Sequence, residues 1–264
     1  MRVGDMELIP LSDGEAILPP AFWVGFDFEA HPGVLGPDGQ IHLPLGCYVV
    51  RHAGRTVLLD AGLGPITASW GRGGRLAGEL RRAGIDRSEI DTVVLTHLHA
   101  DHAGGVVDAA WEGPLFPNAN VRYGADDWER FVKGVDPADG TRRAMELMAE
   151  AGRLEPVSGD MVSLAPGITA RHAPGHTPGH YVLVLSSGDE RAVLLGDAVE
   201  CPLQLEEPDF YALSDVDPGL AGRTRELLWR ELEGTGTMVG AAHFPGLEFG
   251  RVLTGGRGRR LVAI

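Results

Sequence analysis

The chain has 264 residues, of which 44% are hydrophobic and 23% charged, and it contains no repeated or low-complexity stretch. Its net charge of −14, from 23 basic and 37 acidic residues, argues against the basic surface that nucleic-acid binding requires. Because the two cysteines cannot form a disulfide framework and no stretch reads as a membrane span, we expect a cytoplasmic protein that binds neither nucleic acid nor membrane.

The N-terminal part of the chain divides into two stretches. Met1 to Pro19 alternates apolar and acidic residues and lacks the basic and apolar regions of a signal peptide. Pro19 to Pro44 is rich in aromatic residues and glycine and is too irregular for a core element. We expect this stretch to be a lid or part of a homodimer contact near the mouth of a site, or else an ordinary surface loop packed by its aromatics.

A β-hairpin is predicted next along the chain. Cys47 to Arg51 and Arg55 to Leu59 are apolar, strand-like runs that flank a turn at Ala53 and Gly54. Asp60 ends the second run, and it either orders a neighbouring loop or is a plain turn residue.

The most informative segment follows the buried-strand pattern of Asp91 to Leu95. His97, His99, Asp101 and His102 place four potential metal ligands within six positions. In extended backbone the first two imidazoles point to the same side, while the adjacent aspartate and histidine, on a turn, can diverge toward a second centre. Histidine and carboxylate without thiolate suit zinc, with manganese, iron and cobalt also compatible.

Helical patterns alternate with strand-like runs through the rest of the chain. In the last of them, Leu227, Leu228 and Leu232 are predicted to form the core face, and Asp217 with Pro218 is predicted to form the cap and first turn. The predicted helices are Arg75 to Ala83, Asp126 to Val132, Arg142 to Ala151 and Pro218 to Leu232.

The histidine-x-histidine-x-aspartate-histidine motif after a buried strand resembles the signature of the metallo-β-lactamase fold superfamily. The resemblance implies an α/β fold, a four-layer αββα sandwich of two mixed β-sheets with the metals at one edge. Because the ligands run across most of the chain, we expect a single domain over residues 1–264.

The resemblance also implies three ligands far downstream of the motif. His176 lies in a Pro-Gly-rich turn, Asp197 ends an apolar strand-like run, and His243 is the only histidine beyond residue 180. The implied assignment is His97, His99 and His176 to one ion, Asp101, His102 and His243 to the other, and Asp197 as the bridge.

The chemistry implied is hydrolysis of an ester or lactone, as a small-molecule substrate, by a hydroxide bound to two zinc ions. Asp101 would hold one ion, orient the hydroxide and help move its proton to the leaving alkoxide. The alternatives are a thioesterase or phosphotriesterase that uses the same site, a di-iron oxidoreductase, and a metal-binding protein without catalysis.

Within the superfamily, Gly196 to Asp217 and Gly240 to Pro245 are most similar to the N-acyl homoserine lactonase and methyl parathion hydrolase-like branch. Those lactonases carry a tyrosine three residues after the bridging aspartate, where this chain has Glu200. We do not expect Tyr181 or Tyr211 to replace that tyrosine.

Four further histidine and cysteine residues are not assigned as metal ligands. His180 can support the site from outside the ligand set, whereas His52 and His172 are interpreted as structural. Cys201 lies close in sequence to the bridging ligand, and we expect it to be a small buried apolar residue.

Overall fold

The computed structural model describes residues 1–137, 139–207, 209–255 and 258–264. Its strands are β1 (Arg2–Val3), β2 (Met6–Leu18), β3 (Trp23–Val24), β4 (Ile41–His52), β5 (Arg55–Leu59), β6 (Gly71–Arg72), β7 (Thr92–Val94), β8 (Asn120–Gly124), β9 (Leu154–Val157), β10 (Met161–Ala165), β11 (Ile168–His172), β12 (Tyr181–Ser187), β13 (Glu190–Leu194), β14 (Tyr211–Ala212), β15 (Met238–Gly240), β16 (Gly250–Gly255) and β17 (Gly258–Ala263). Its α-helices are α1 (Leu76–Arg82), α2 (Ala100–Ala103), α3 (Gly140–Glu150), α4 (Leu203–Glu206) and α5 (Pro218–Leu232).

The described strands form two large mixed sheets and a small separate pair. The first sheet has the order β1-β2-β4-β5-β7-β8-β9, with β6 beside β2, and it is parallel from β5 to β9. The second sheet has the order β10-β11-β12-β13-β15-β16-β17 and is antiparallel except where β13 pairs with β15. Strands β3 and β14 pair outside both sheets.

Alternation of side chains along β4 explains the layering. Val50 faces a core between the sheets, where it packs with residues such as Leu183 of the second sheet, whereas the adjacent Val49 faces the helix-covered side with Leu76 of α1. On the outer side of the second sheet, α5 packs through residues such as Trp229. This order of helix, sheet, sheet and helix confirms the predicted four-layer αββα sandwich.

The predicted hairpin is confirmed as β4, a two-residue turn and β5. His52 pairs with Arg55 across the turn, and the two turn residues have positive φ, 48° at Ala53 and 76° at Gly54. Two successive residues with positive φ match the twist of a two-stranded ribbon, which fixes the register of the pair.

Helix α5 begins and ends where the sequence predicted, and the Asp217 side chain accepts a hydrogen bond from the backbone N–H of Leu220. The prediction that Leu227 belongs to its core face is wrong, because that side chain is 55% exposed. Leu228 and Leu232 are buried as predicted. Each residue turns the helix by about 100°, so Leu227 is rotated away from the face that its neighbour buries.

The other predicted helices differ in how well they match. Helices α1 and α3 lie within one or two residues of their predicted bounds. The predicted helix over Asp126 to Val132 is instead a 3₁₀ turn, Ala125–Asp127, followed by a π-helical turn, Glu129–Lys133. Such π turns are frequent at functional sites, and this one places the Phe131 ring 5.0 Å from that of His99.

The aromatic stretch before β4 packs on itself. The rings of Trp23, Phe26 and Phe28 contact one another, and those of Trp23 and Phe26 also contact that of Phe210. This arrangement matches the expectation of a loop packed by its aromatics. The expectation that the stretch is too irregular for a core element is wrong, because it contains β3 and the start of β4, and Trp23 and Ile41 are buried in a hydrophobic cluster. Within the described ranges, no helix combines the length and apolar character needed to cross a bilayer.

Candidate metal centre and substrate cavity

Loops that follow strands of both sheets meet at one edge of the sandwich. The histidine-rich motif begins three residues after β7 of the first sheet, and His176 lies in the loop between β11 and β12 of the second. Asp197 follows β13 and His243 follows β15. Because β13 and β15 are parallel neighbours, their carboxyl ends bring these two residues to the same edge.

The structure brings all seven predicted ligand residues together. Asp197 lies between two groups: its Oδ2 is 3.4 Å from His176 Nε2 and 3.3 Å from His243 Nε2, and its Oδ1 is 3.3 Å from His102 Nε2. The potential ligand atoms within each group lie within 4.8 Å of one another, and the groups are His97, His99, His176 and Asp197, and Asp101, His102 and His243.

Asp60 orders the first loop of this cluster. Its carboxylate accepts hydrogen bonds from the Thr96 backbone N–H at 2.7 Å, the Thr96 hydroxyl at 2.9 Å and His102 Nδ1 at 2.9 Å. The Thr96 hydroxyl in turn accepts from His97 Nδ1 at 3.1 Å. Both imidazoles therefore keep Nε2 free for the centre, which is the usual function of carboxylates behind metal-binding histidines. Of the two alternatives for Asp60, the ordering role is the one the contacts support.

Two downstream histidines are held in the same way. His176 Nδ1 donates to Asp215 Oδ1 at 3.0 Å, and Asp215 also accepts from the buried Arg225 at 3.3 Å. His243 Nδ1 donates to the Pro44 carbonyl at 2.7 Å. In both residues Nε2 is the nitrogen that faces the cluster.

Buried polar atoms without hydrogen-bond partners indicate that the cluster can hold a divalent metal ion. The buried side-chain atoms without a hydrogen-bond partner, among those that the structure describes, include His97 Nε2, His102 Nε2 and Asp197 Oδ1. The last two lie 3.3 Å apart but without the geometry of a hydrogen bond. Buried polar atoms are nearly always paired, so three unpaired atoms that face one another indicate a site for a cation. The imidazole and carboxylate donors suit zinc and its first-row neighbours.

The electrostatics of the cluster agree with cation binding. Burial holds the pKa of His97 and His99 well below the usual value, which keeps both rings neutral with a lone pair available. Burial also raises the pKa of Asp197, but His102 and His243 outweigh it and hold that pKa well below its usual range. Burial lowers the pKa of His243, but Asp197 brings it to about 9. Protonated imidazoles here supply positive charge that a bound cation would replace, with release of protons.

His180 positions the central aspartate rather than joining the ligands. Its Nε2 accepts hydrogen bonds from the backbone N–H groups of Asp197 at 3.0 Å and Ala198 at 3.2 Å. Burial lowers the pKa of His180 to about 3, so the ring remains a neutral acceptor. Gly196 has φ of 52°, and a Cβ there would lie 2.6 Å from His180 Nε2, so glycine permits this approach. His172 lies outside the cluster, and its Nε2 donates a hydrogen bond to the Pro178 carbonyl.

Sequence reasoning missed Asp127, Asp215 and Arg225, which are buried behind the ligands. Each contacts the metal loops through residues distant in the chain, as with Asp215 and His176, which are 39 positions apart. No local spacing marks such pairs, so the sequence around these three residues carries no signal of their role.

A cavity of about 430 Å³ opens beside the cluster. Its wall is largely apolar, and its polar side chains beyond the cluster include Asp139, Thr141, Glu200 and Ser214. No lysine or arginine lines this cavity in the part of the chain that the structure describes. The apolar wall residues are Ala16, Leu18, Phe22, Leu43, Trp70, Leu98, Ala100, Phe131 and Val135.

Glu200 joins the cavity to the aromatic stretch before β4. Its carboxylate accepts from the Trp23 indole N–H at 3.3 Å and the Ser214 hydroxyl at 2.8 Å. Burial, with a further contribution from Asp197, raises the pKa of Glu200 to about 7. Tyr181 donates to the Gly159 carbonyl and Tyr211 lies in β14, so neither lines the described cavity, as expected. Cys201 is buried, also as expected.

Comparison with known proteins agrees with the motif. The sequence model of the metallo-beta-lactamase superfamily matches residues 46–230. An N-acyl homoserine lactonase of Bacillus sp is 24% identical over 232 residues, which cover 80% of this chain and 87% of that protein.

Solved structures of similar fold cover nearly the whole chain. AidC, a dizinc quorum-quenching lactonase in complex with a product, superposes with a TM-score of 0.86 at 23% identity, over 99% of this chain and 95% of AidC. The hydrolase AbOPH of the beta-lactamase superfamily has a TM-score of 0.83 at 21% identity, over 100% and 96% of the two chains. These findings confirm the predicted superfamily and fold and the expectation of a metal-dependent hydrolase.

Proposed function

The chain belongs to the metallo-beta-lactamase superfamily, and from that premise we propose that it is a dinuclear zinc hydrolase that opens a neutral lactone or ester carrying an apolar substituent. The observation that carries this proposal is the pair of ligand groups on either side of Asp197, beside a largely apolar cavity. The lactone preference is supported by the named N-acyl homoserine lactonases among the relatives.

The proposed division of the ligands follows the two groups. His97, His99 and His176 would hold one ion, Asp101, His102 and His243 would hold the other, and Asp197, which lies between the two sets, would be shared. When bound, two such ions supply hydroxide at neutral pH, by lowering the pKa of a water to about 7, and polarise the scissile carbonyl.

The chain's own residues orient the substrate and move the proton. Asp101 lines the cavity, where its carboxylate would accept the proton that the attacking nucleophile loses and deliver it to the leaving alkoxide. Leu18, Leu43 and Trp70 form part of the wall that would hold the apolar substituent and exclude water. Burial of that substituent would contribute roughly 25 cal/mol per Å² of apolar surface.

The charge of the cavity supports a neutral substrate. Asp139 and Glu200 are carboxylic acids, and the described lining residues include no lysine or arginine that could pair with a substrate carboxylate. A β-lactam or a glutathione thioester carries such a carboxylate, so both fit this cavity less well than a neutral lactone, ester or phosphotriester.

Hydrolysis of a small panel tests the proposal. The purified protein would be assayed on an N-hexanoyl homoserine lactone, an alkyl lactone, an aryl ester, a phosphotriester and a cephalosporin, before chelation, after chelation and after zinc is restored. We expect zinc-dependent cleavage of the lactones or the aryl ester. Cleavage of the phosphotriester alone would favour that alternative, and a protein that binds two irons without hydrolysis would overturn the proposal.

A further inference from the structure

A further buried carboxylate, besides Asp60 and Asp215, touches the loops that carry the metal ligands. Asp127 ends the 3₁₀ turn that follows β8, and its side chain is fully buried. It is not one of the seven candidate ligands and it does not line the cavity. Its role must therefore follow from the three hydrogen bonds that its carboxylate accepts.

Those bonds join two loops that come from different sheets. Asp127 Oδ2 accepts from the backbone N–H of Leu98 at 3.1 Å and from the Thr177 hydroxyl at 2.9 Å, and its Oδ1 accepts from the backbone N–H of Gly179 at 2.6 Å. Leu98 lies between His97 and His99, in the loop after β7 of the first sheet. Thr177 and Gly179 lie in the loop between β11 and β12 of the second.

The backbone around Asp127 is built for this contact. A Cβ on Gly124 would lie 1.9 Å from the Gly179 carbonyl oxygen, so the strand end and the second loop meet only because glycine stands there. A backbone N–H buried without an acceptor is costly, and the carboxylate supplies an acceptor to one such group in each loop.

We propose that Asp127 is a positioning residue for the metal group formed by His97, His99 and His176. This inference rests on the metal centre of the proposed function. Asp127 fixes the spacing between the loop of the first two histidines and the loop of the third, so the three imidazoles are in place before an ion binds. Loss of this fixed spacing should release the ion of that group faster, without altering the other ligand group.

The chain offers a matched control. Asp13 is also fully buried, and its carboxylate accepts from the backbone N–H groups of Gly64, Gly74 and Leu76. None of these three is a candidate ligand or its immediate neighbour in sequence. Asp13→Asn and Asp127→Asn are therefore the same chemical change in equally buried carboxylates, and only the second touches the metal loops.

The experiment measures zinc release from the loaded full chain into a chromogenic chelator, beside the melting temperature of each metal-free variant. In Asp127→Asn the carboxamide NH₂ must face at least one of the donors, so we expect one of the two zinc ions to leave about ten- to a hundredfold faster than in the wild type. Asp13→Asn should lower the melting temperature to a similar degree and release zinc at the wild-type rate.

Thr177→Val removes one of the three hydrogen bonds to Asp127 while keeping a side chain of similar shape, so it should give an intermediate rate of zinc release. If Asp127→Asn does not fold, the release rate of Thr177→Val tests the inference instead. Wild-type release rates in Asp127→Asn and Thr177→Val, or equal acceleration in Asp13→Asn, would overturn the inference and leave the proposed function standing. A wild-type protein that binds no zinc would overturn both.

Discussion

The metal cluster and the wall of the cavity beside it are built in opposite ways. In the cluster, hydrogen bonds such as those from His102 to Asp60 and from His176 to Asp215 fix the orientation of individual rings. In the wall, apolar side chains such as Leu18, Leu43 and Trp70 come from separate segments, and in the proposed function they would contact a substrate only through their apolar surface. The proposed chemistry therefore depends on particular atoms, whereas substrate range would depend on the volume and the apolar area of the cavity.

The largest effect should come from removal of a ligand. Asp197→Ala and His99→Ala should each abolish metal-dependent hydrolysis, because each removes a donor atom from the cluster. The control is His52→Ala, which changes a histidine at the end of β4, outside both ligand groups, and should leave kcat/KM nearly unchanged. Equal losses in all three variants would contradict the assignment of the ligands.

A smaller effect should come from replacement of Asp60, the carboxylate that accepts a hydrogen bond from the ligand His102. Asp60→Asn leaves the ligand set intact but places an amide beside His102 Nδ1 and Thr96. We expect metal affinity to weaken about 10- to 100-fold, measured by competition with a chelator of known affinity. An unchanged affinity would show that the ring of His102 is held by packing alone.

Substitutions in the cavity wall should change kcat/KM only for substrates with a long apolar chain. Trp70→Ala removes apolar surface from the cavity, so kcat/KM should fall about tenfold for a long-chain lactone, which corresponds to about 1.4 kcal/mol of lost contact. A short-chain lactone should be cleaved as well as by the wild type. Equal losses on both substrates would mean that the wall also positions the reacting group.

The smallest expected effect concerns the hydrogen bond between Glu200 in the cavity and Trp23 of the aromatic stretch before β4. Trp23→Phe keeps an aromatic ring against Phe210 but removes the indole N–H that donates a hydrogen bond to Glu200. The free energy of unfolding should fall by about 1 kcal/mol in a denaturant titration, the usual net value of such a bond. Ser214 would still donate to the carboxylate, and a loss of lactone hydrolysis to the level of the ligand variants would contradict this reading.

The parts of the fold that could be predicted from the sequence depend on local patterns. The hairpin followed from its turn residues, and α5 from its cap at Asp217 and its apolar spacing. The π turn that carries Phe131 was predicted as a regular helix, because periodicity does not distinguish the two. A single domain over residues 1–264 stays a prediction.

The site was predictable to the extent that its residues carry a motif. His97 to His102 stand together in the chain, and the resemblance supplied the downstream positions. Asp127 and Asp215 were not predicted, since their partners are distant in sequence and meet them only after the two sheets pack. Phe22 and Leu43 of the cavity wall lie in the stretch that we expected near the mouth of a site. The rest of the wall was not predicted, because no pattern marks which apolar residues face a substrate.

A zinc titration of the metal-free protein tests the central claim most directly. Lactone hydrolysis would be measured as zinc is added in fractions of an equivalent per chain. The account predicts that activity rises to its maximum at two equivalents, because both ligand groups must be filled. A maximum at one equivalent, or two bound zinc ions with no hydrolysis of lactone or ester, would contradict it.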